Sequence, residues 1–223
     1  MYSHRLPVLL ILVFLLSPIA TCAQAPLVRA STSLSDSVDW QFPSAQHYRE
    51  ISIYRAQTIA NPQVMSDLGG QHLFVAGARL TGRLISTPHL YVSGNADVKP
   101  LALYSQDGRQ YTYGGGGSFG LQFAPRGEVR WQPYFDVDGG FLAFAHDIPL
   151  PDTRRVNMMI DFGPGLRIPL PGNSALKTGV WFFHFSNGNT APRNPGFDSF
   201  MVYGAYTHRN FWPHLRHNRE PTD

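Results

Sequence analysis

The chain has 223 residues, with 21 Gly, 18 Pro, 13% aromatic and only 15% charged residues, a composition that favours an all-β domain over a helical one. A formal net charge of +3, spread rather than clustered, excludes a nucleic-acid-binding surface built on a basic patch. The single cysteine, Cys22, excludes a disulfide-stapled secreted scaffold.

Residues 1–23 have the layout of a secretory signal: a short basic region at His4 and Arg5, an apolar run from Leu6 to Leu16, a Ser17-Pro18 break and small residues at Ala20 and Ala23. The apolar run is too short for a good membrane span, which disfavours a retained anchor helix. Ile19-Ala20-Thr21-Cys22 faintly resembles a lipoprotein cleavage box, in which Thr21 fits poorly. Residues 24–47 stay unassigned, either a periplasmic arm or part of the first strand. Tyr48 to Gln57 is the expected first strand, and residues 213–223 are expected to be a polar tail after a barrel domain of residues 48–212.

From residue 72 onward, segment after segment alternates with period two, the pattern of a strand with two unlike faces. In 72–84, Phe74, Ala76, Ala78 and Leu80 lie against Arg79, Thr81 and Arg83; in 89–104, Leu90, Val92, Ala96 and Val98 lie against Ser93, Asn95, Asp97 and Lys99. In 111–125 the partners of Tyr113, Phe119, Leu121 and Phe123 are small or polar. In 130–145, Trp131, Phe135, Val137, Phe141 and Ala143 oppose Gln132, Tyr134, Asp136 and Asp138. Val156, Met158, Ile160 and Phe162 oppose Asn157, Met159, Asp161 and Arg167 in 156–170; two more strands come after it, near 173–187 and 199–211.

A soluble sandwich with its apolar face inside would alternate in the same way. Against it, the polar face is rich in glycine and carries charges of both signs, as in a narrow barrel filled by ion pairs. Connections also alternate in length. Ser86-Thr87-Pro88, Arg126-Gly127-Glu128 and Pro171-Gly172 are tight turns, whereas Ser105 to Gln110, His146 to Arg155 and Gly188 to Phe197 are longer. The expected fold is therefore all-β: an eight-stranded antiparallel transmembrane β-barrel of outer-membrane type, with both termini on the periplasmic side. Trp131 and Trp212 are expected in the inner aromatic girdle, and Tyr104, Tyr111 and Tyr113 in the outer one.

Chemistry concentrates near the end of the chain. In His184-Phe185-Ser186-Asn187-Gly188, the histidine and serine share one face of a strand, because successive side chains point to opposite sides. Asp198 comes after Asn194-Pro195-Gly196, on the adjacent antiparallel strand, in phase with Phe200 and Val202. A base, a hydroxyl and a carboxylate on one apolar face are the parts of a serine hydrolase, placed where a structural protein would keep apolar side chains. Taken singly, the same residues are ordinary interfacial and turn residues. The histidines elsewhere lack ligand spacing, so neither metal nor cofactor is expected.

These residues resemble the outer-membrane lipid A 3-O-deacylases, acyloxyacyl-hydrolase-like barrels, over roughly residues 48–212. The sharp part of the likeness is His184-Phe185-Ser186-Asn187 with Asn194, Gly196 and an acid twelve residues after the serine. The resemblance implies that His184 is the general base, Ser186 the nucleophile and Asp198 the orienting acid. The family has a glutamate where this chain has Asp198, and such barrels tend to end in an aromatic residue, whereas a polar segment succeeds Trp212 here. It further implies oxyanion donors among Asn187, Gly188 and Asn194, an extracellular-facing site in the outer membrane, and lipid A or lipopolysaccharide as substrate. Arg193, with Arg154 and Arg155, would then meet headgroup phosphates or remain solvated loop charge. Another outer-membrane esterase or phospholipase, and a non-catalytic structural barrel, are the competing readings; monomer and homodimer stay open.

Overall fold

The computed structural model of the protein describes residues 49–107, 110–126 and 131–209. The expected signal, residues 24–47, Trp212 and the polar tail lie outside the described residues. Eight strands, β1 (Arg49–Ala60), β2 (Gln71–Ser86), β3 (Leu90–Gln106), β4 (Gln110–Pro125), β5 (Gln132–Ile148), β6 (Arg154–Leu170), β7 (Ser174–Ser186) and β8 (Phe197–Arg209), form a closed barrel in chain order. Each is antiparallel to its neighbours, and β1 pairs with β8 to close the ring.

The barrel is strongly staggered. A single row of cross-strand partners starts at Glu50 on β1 and passes through Thr81, Asn95, Gly120, Asp138, Asp161 and Phe183 to Ser199, the third residue of β8. Phe200 then pairs with Ala60, so the row returns to β1 about ten residues beyond its start, a shear that tilts the strands as a small closed barrel requires. Every member of this row points inward, because a closed sheet with period-two side chains keeps one parity inside.

The inward face is divided along the barrel axis. Near the turn end, Glu50 is buried and receives Arg167 at 3.1 Å, Lys177 at 2.8 Å and Arg209 at 3.7 Å. Further along, the Arg79 guanidinium holds Asp97 at 2.9 Å, Asp136 at 2.9 Å and Asp138 at 2.7 Å, and it lies 5.4 Å from the Trp181 ring centroid. Buried charges persist only when paired and hydrogen-bonded, and Gln122, Asn95 and Ser118 supply further hydrogen bonds to these three aspartates. Toward the loop end the interior becomes apolar. Leu73, Leu142, Met201 and the rings of Tyr104, Phe144, Phe183, Phe185 and Phe197 pack there, with Phe185 stacked on Phe197 at 4.7 Å. The polar lumen read from the alternation therefore holds for the turn-end part, and an aromatic plug fills the rest.

The outer wall is the apolar face. Phe119 is 75% exposed, and Ile53, Val98, Phe141 and Met158 are all more than half exposed, an arrangement that water does not tolerate over a whole barrel but a lipid bilayer does. Arg55 is a charged exception on this wall. Exposed in the middle of β1, it is flanked by Ala76 and Gly204, which leave its aliphatic stem free to lie along the sheet toward a polar edge. Replacing Phe119 with Arg is expected to destabilise the barrel by about 2–4 kcal/mol, the cost of a cation near mid-bilayer on the lipid face, measured as a lower urea midpoint in lipid vesicles.

Two sequence expectations are corrected. Tyr104 is not in the outer girdle; it is 3% exposed and points inward, donating a hydrogen bond to Gln71 Oε1 at 3.0 Å. A bulge between Lys99 and Ala102 inserts one extra residue into β3 and reverses the parity of the strand's remaining residues. Tyr111 and Tyr113 keep the wall position, at 73% and 68% exposure. The segments Ser105 to Gln110 and His146 to Arg155 are shorter loops than expected, because β3 runs to Gln106, β4 starts at Gln110, β5 runs to Ile148 and β6 starts at Arg154. The long connections at the loop end are residues 61–70 and 187–196.

Candidate active site

β7 rises along the wall with Phe182, His184 and Ser186 facing outward, while Trp181, Phe183 and Phe185 are buried inside. Ser186 is the last residue of the strand. The aromatic plug fixes the backbone behind the two polar side chains, since packed interior rings leave the strand little freedom. β8 returns beside β7 in a register that sets His184 directly opposite Asp198, and β6 brings Ile160 opposite His184 and Met158 opposite Ser186.

Across that register, His184 Nδ1 stands 2.7 Å from Asp198 Oδ1. An imidazole held at Nδ1 by a carboxylate carries its proton there and leaves Nε2 as the acceptor, the tautomer a general base needs. The Ser186 hydroxyl, two residues further along the same face, has no hydrogen-bond partner among the described residues, which leaves its proton uncommitted.

Asp198 points to the lipid face yet has no exposed surface. The cover comes from the β1–β2 connection, residues 61–70. The backbone N–H groups of Met65 and Ser66 both donate to Asp198 Oδ2, the second at 2.9 Å. The Asn61 side-chain amide donates to the Asp198 carbonyl at 2.9 Å, and the Asp67 N–H donates to the Pro195 carbonyl at 3.1 Å. Sequence reasoning missed this segment. The signal that could have found it was barrel closure: an even-stranded barrel places β1 beside β8, and hence the loop after β1 over the first residues of β8.

The β7–β8 loop closes the site on the other side. Gly188 adopts φ of +61° and Gly196 φ of +67°, left-handed conformations that glycine takes without steric cost. A Cβ on Gly196 would sit 3.3 Å from His184 Cε1 and 3.3 Å from the Met65 carbonyl oxygen, so the missing side chain lets loop and imidazole meet. Asn187 is 4% exposed; its N–H donates to Asn194 Oδ1 at 3.0 Å and its side-chain amide to the Arg193 carbonyl at 2.7 Å. Asn194 Nδ2 donates to Asn189 Oδ1 at 3.0 Å. Asn187 and Asn194 thus brace the loop from within.

The arginines separate into different roles. Arg154 donates to the Thr190 carbonyl at 2.6 Å and ties the start of β6 to the β7–β8 loop. Arg155 lies 3.7 Å from Asp147 with both groups substantially exposed, a pair of little energetic weight. Arg193 is exposed within the loop, with its carbonyl bound by Asn187. Among the described residues no group of His, Cys, Asp and Glu side chains is arranged to hold a metal ion.

Comparison with known proteins adds four findings. The model of the family described as "Lipid A 3-O-deacylase (PagL)" matches residues 75–207. Among solved structures, the crystal structure of the outer membrane enzyme PagL aligns with a TM-score of 0.55 at 16% identity, over 71% of this chain and 98% of that one, a likeness of fold. The solid-state NMR structure of the outer membrane protein AlkL in DMPC lipid bilayers aligns over 85% of this chain and 96% of that one, at 12% identity and a TM-score of 0.36. No curated protein sequence matches the chain.

Proposed function

The chain belongs to the lipid A 3-O-deacylase family, ester hydrolases of the outer membrane, and we propose that it hydrolyses the ester at position 3 of lipid A through Ser186, His184 and Asp198, at the extracellular leaflet. The observation that carries this reading is the 2.7 Å contact between His184 and Asp198 on the lipid-facing wall, with Ser186 two residues along the same face. A buried carboxylate bound to an imidazole on the outside of a membrane barrel serves no packing purpose. It has a purpose if the substrate arrives from the bilayer.

In the first step Ser186 Oγ attacks the ester carbonyl carbon while His184 Nε2 takes its proton. Asp198 holds the Nδ1–H and stabilises the imidazolium as it forms. The carbonyl oxygen becomes an oxyanion, met by the Gly188 N–H and the remaining Asn187 amide hydrogen, with Asn194 fixing their direction through its own hydrogen bonds. Collapse of the tetrahedral intermediate breaks the bond to the sugar oxygen, which leaves with the proton from His184. Water, activated by the same base, then hydrolyses the acyl-serine and releases a 3-hydroxy fatty acid.

Outside the triad, the wall supplies a second kind of contact. Phe162, Phe182 and Phe200 lie just below His184 with ring centroids 5.2 and 5.8 Å apart, and apolar contact of about 0.8 kcal/mol per methylene would orient acyl chains against them. Arg193, exposed on the adjoining loop, is the cation we assign to a headgroup phosphate. Ser186, His184 and Asp198 all come from one chain, so the proposed chemistry needs only one copy, whether or not a homodimer forms.

Lipid A from cells producing the protein, analysed by mass spectrometry, is expected to lose the mass of one 3-hydroxyacyl chain, whereas cells producing Ser186→Ala retain it. Identical spectra from both, in a host whose lipid A carries that ester, would overturn the proposal.

A further inference from the structure

We infer that the β1–β2 loop, residues 61–70, is a positioning element of the catalytic unit: it sets where the Asp198 carboxylate stands and so where His184 points. The inference rests on the triad reading above and extends it to Met65, Ser66 and Asn61, whose hydrogen bonds go to Asp198 and not to nucleophile or base.

On the lipid face of β8, in phase with Phe200 and Val202, a carboxylate would lose its hydration with nothing in return. The loop supplies what water would have supplied. Two backbone N–H groups converge on Oδ2 while the imidazole takes Oδ1, so three donors surround one carboxylate. Hydrogen bonds to an ionised acceptor are the strong ones, and two of them on a single oxygen stop the carboxylate from turning about its own axis. With Oδ2 fixed, Oδ1 has one direction left, toward Nδ1.

The loop is held to the same strand end on both sides of that contact. Asn61 reaches the Asp198 carbonyl, and Asp67 reaches the Pro195 carbonyl, three residues before the acid. Between these two ties the tip carries Val64 and Met65, exposed by 69% and 53%. These are apolar side chains at the level of the wall, suited to rest in lipid. The identity of the acid is set by the same contact. The far oxygen of Asp198 accepts from two backbone amides, so the loop meets the acid at an aspartate's reach. Aspartate is therefore the acid this loop fits.

The test is a pair of double-mutant cycles on the full-length barrel, refolded in detergent with lipid A as substrate. Ser66→Pro deletes one of the two N–H donors; Asn61→Ala deletes one tie. Each is made with Asp198 present and with Asp198→Ala, and kcat and KM are measured. With Asp198 present, Ser66→Pro is expected to lower kcat by about ten- to a hundredfold, the scale of a misplaced catalytic group, and Asn61→Ala by less. KM is expected to stay unchanged, and with Asp198→Ala neither substitution should lower the residual rate further. An undiminished kcat, or an equal loss in both backgrounds, would overturn the inference, since a merely structural loop acts whether or not the acid is present. Should Ser66→Pro fail to give a heat-modifiable folded band, the Asn61→Ala cycle decides alone. A full rate in Asp198→Ala would overturn the triad reading instead, and is seen in the single variant.

Discussion

Removing Ser186 and His184 together is expected to cost no more turnover than removing either alone. In the proposed mechanism, Ser186→Ala deletes the oxygen that forms the acyl-enzyme, and His184→Ala leaves that oxygen with its proton and no acceptor. Each should lower kcat by about four to six orders of magnitude, as in other hydrolases whose triad members act as one unit. The double variant should sit at the same residual rate, supplied by the Gly188 and Asn187 donors and by substrate binding. Release of 3-hydroxy fatty acid from lipid A micelles measures this directly. Losses that multiply would mean that the two residues act in separate steps, which their shared strand face and the hydrogen bond from His184 to Asp198 argue against.

The second large effect concerns folding. Arg79→Met is expected to prevent the barrel from reaching its heat-modifiable form. Arg79 is the cation within 3 Å of Asp97, Asp136 and Asp138 together, and Lys99 stands 4.0 Å from Asp97 alone. Breaking one buried pair by removing a single partner typically costs about 3–5 kcal/mol; here three carboxylates lose their partner at once. Arg79→Lys keeps the charge but cannot fork to three acceptors, so it should fold with a lowered urea midpoint. Adding Asp97→Asn, Asp136→Asn and Asp138→Asn to Arg79→Met should restore folding, because the cost lies in the uncompensated charges rather than in the missing arginine. Gel mobility before and after heating, with urea titration, separates these outcomes.

Most of the barrel was legible because period two is a local signal. Val156 to Leu170 announces its two faces without knowledge of any other strand, and the structure keeps those faces. What escaped was set by single residues or by closure. Pro100 and Leu101 lie at the bulge that turns Tyr104 inward, and a count of alternating residues passes through such a bulge with its parity wrong. The inward aromatic residues Phe183, Phe185 and Phe197 were hard to assign because their outward neighbours are apolar too. In the site, the meeting of His184 with Asp198 was legible because β7 and β8 form one hairpin. The contacts of Met65 and Ser66 with Asp198 were not, because they join residues more than 130 positions apart and exist only when the first strand meets the last.

That seam has a consequence for the life of the protein before it is complete. The hairpin bearing Ser186, His184 and Asp198 can form early, but the amides that cover the acid belong to the opposite end of the chain. A partly inserted sheet, however well its last strands are paired, lacks the two amides that hold Asp198 Oδ2. On the proposed mechanism, full turnover therefore arrives only with ring closure.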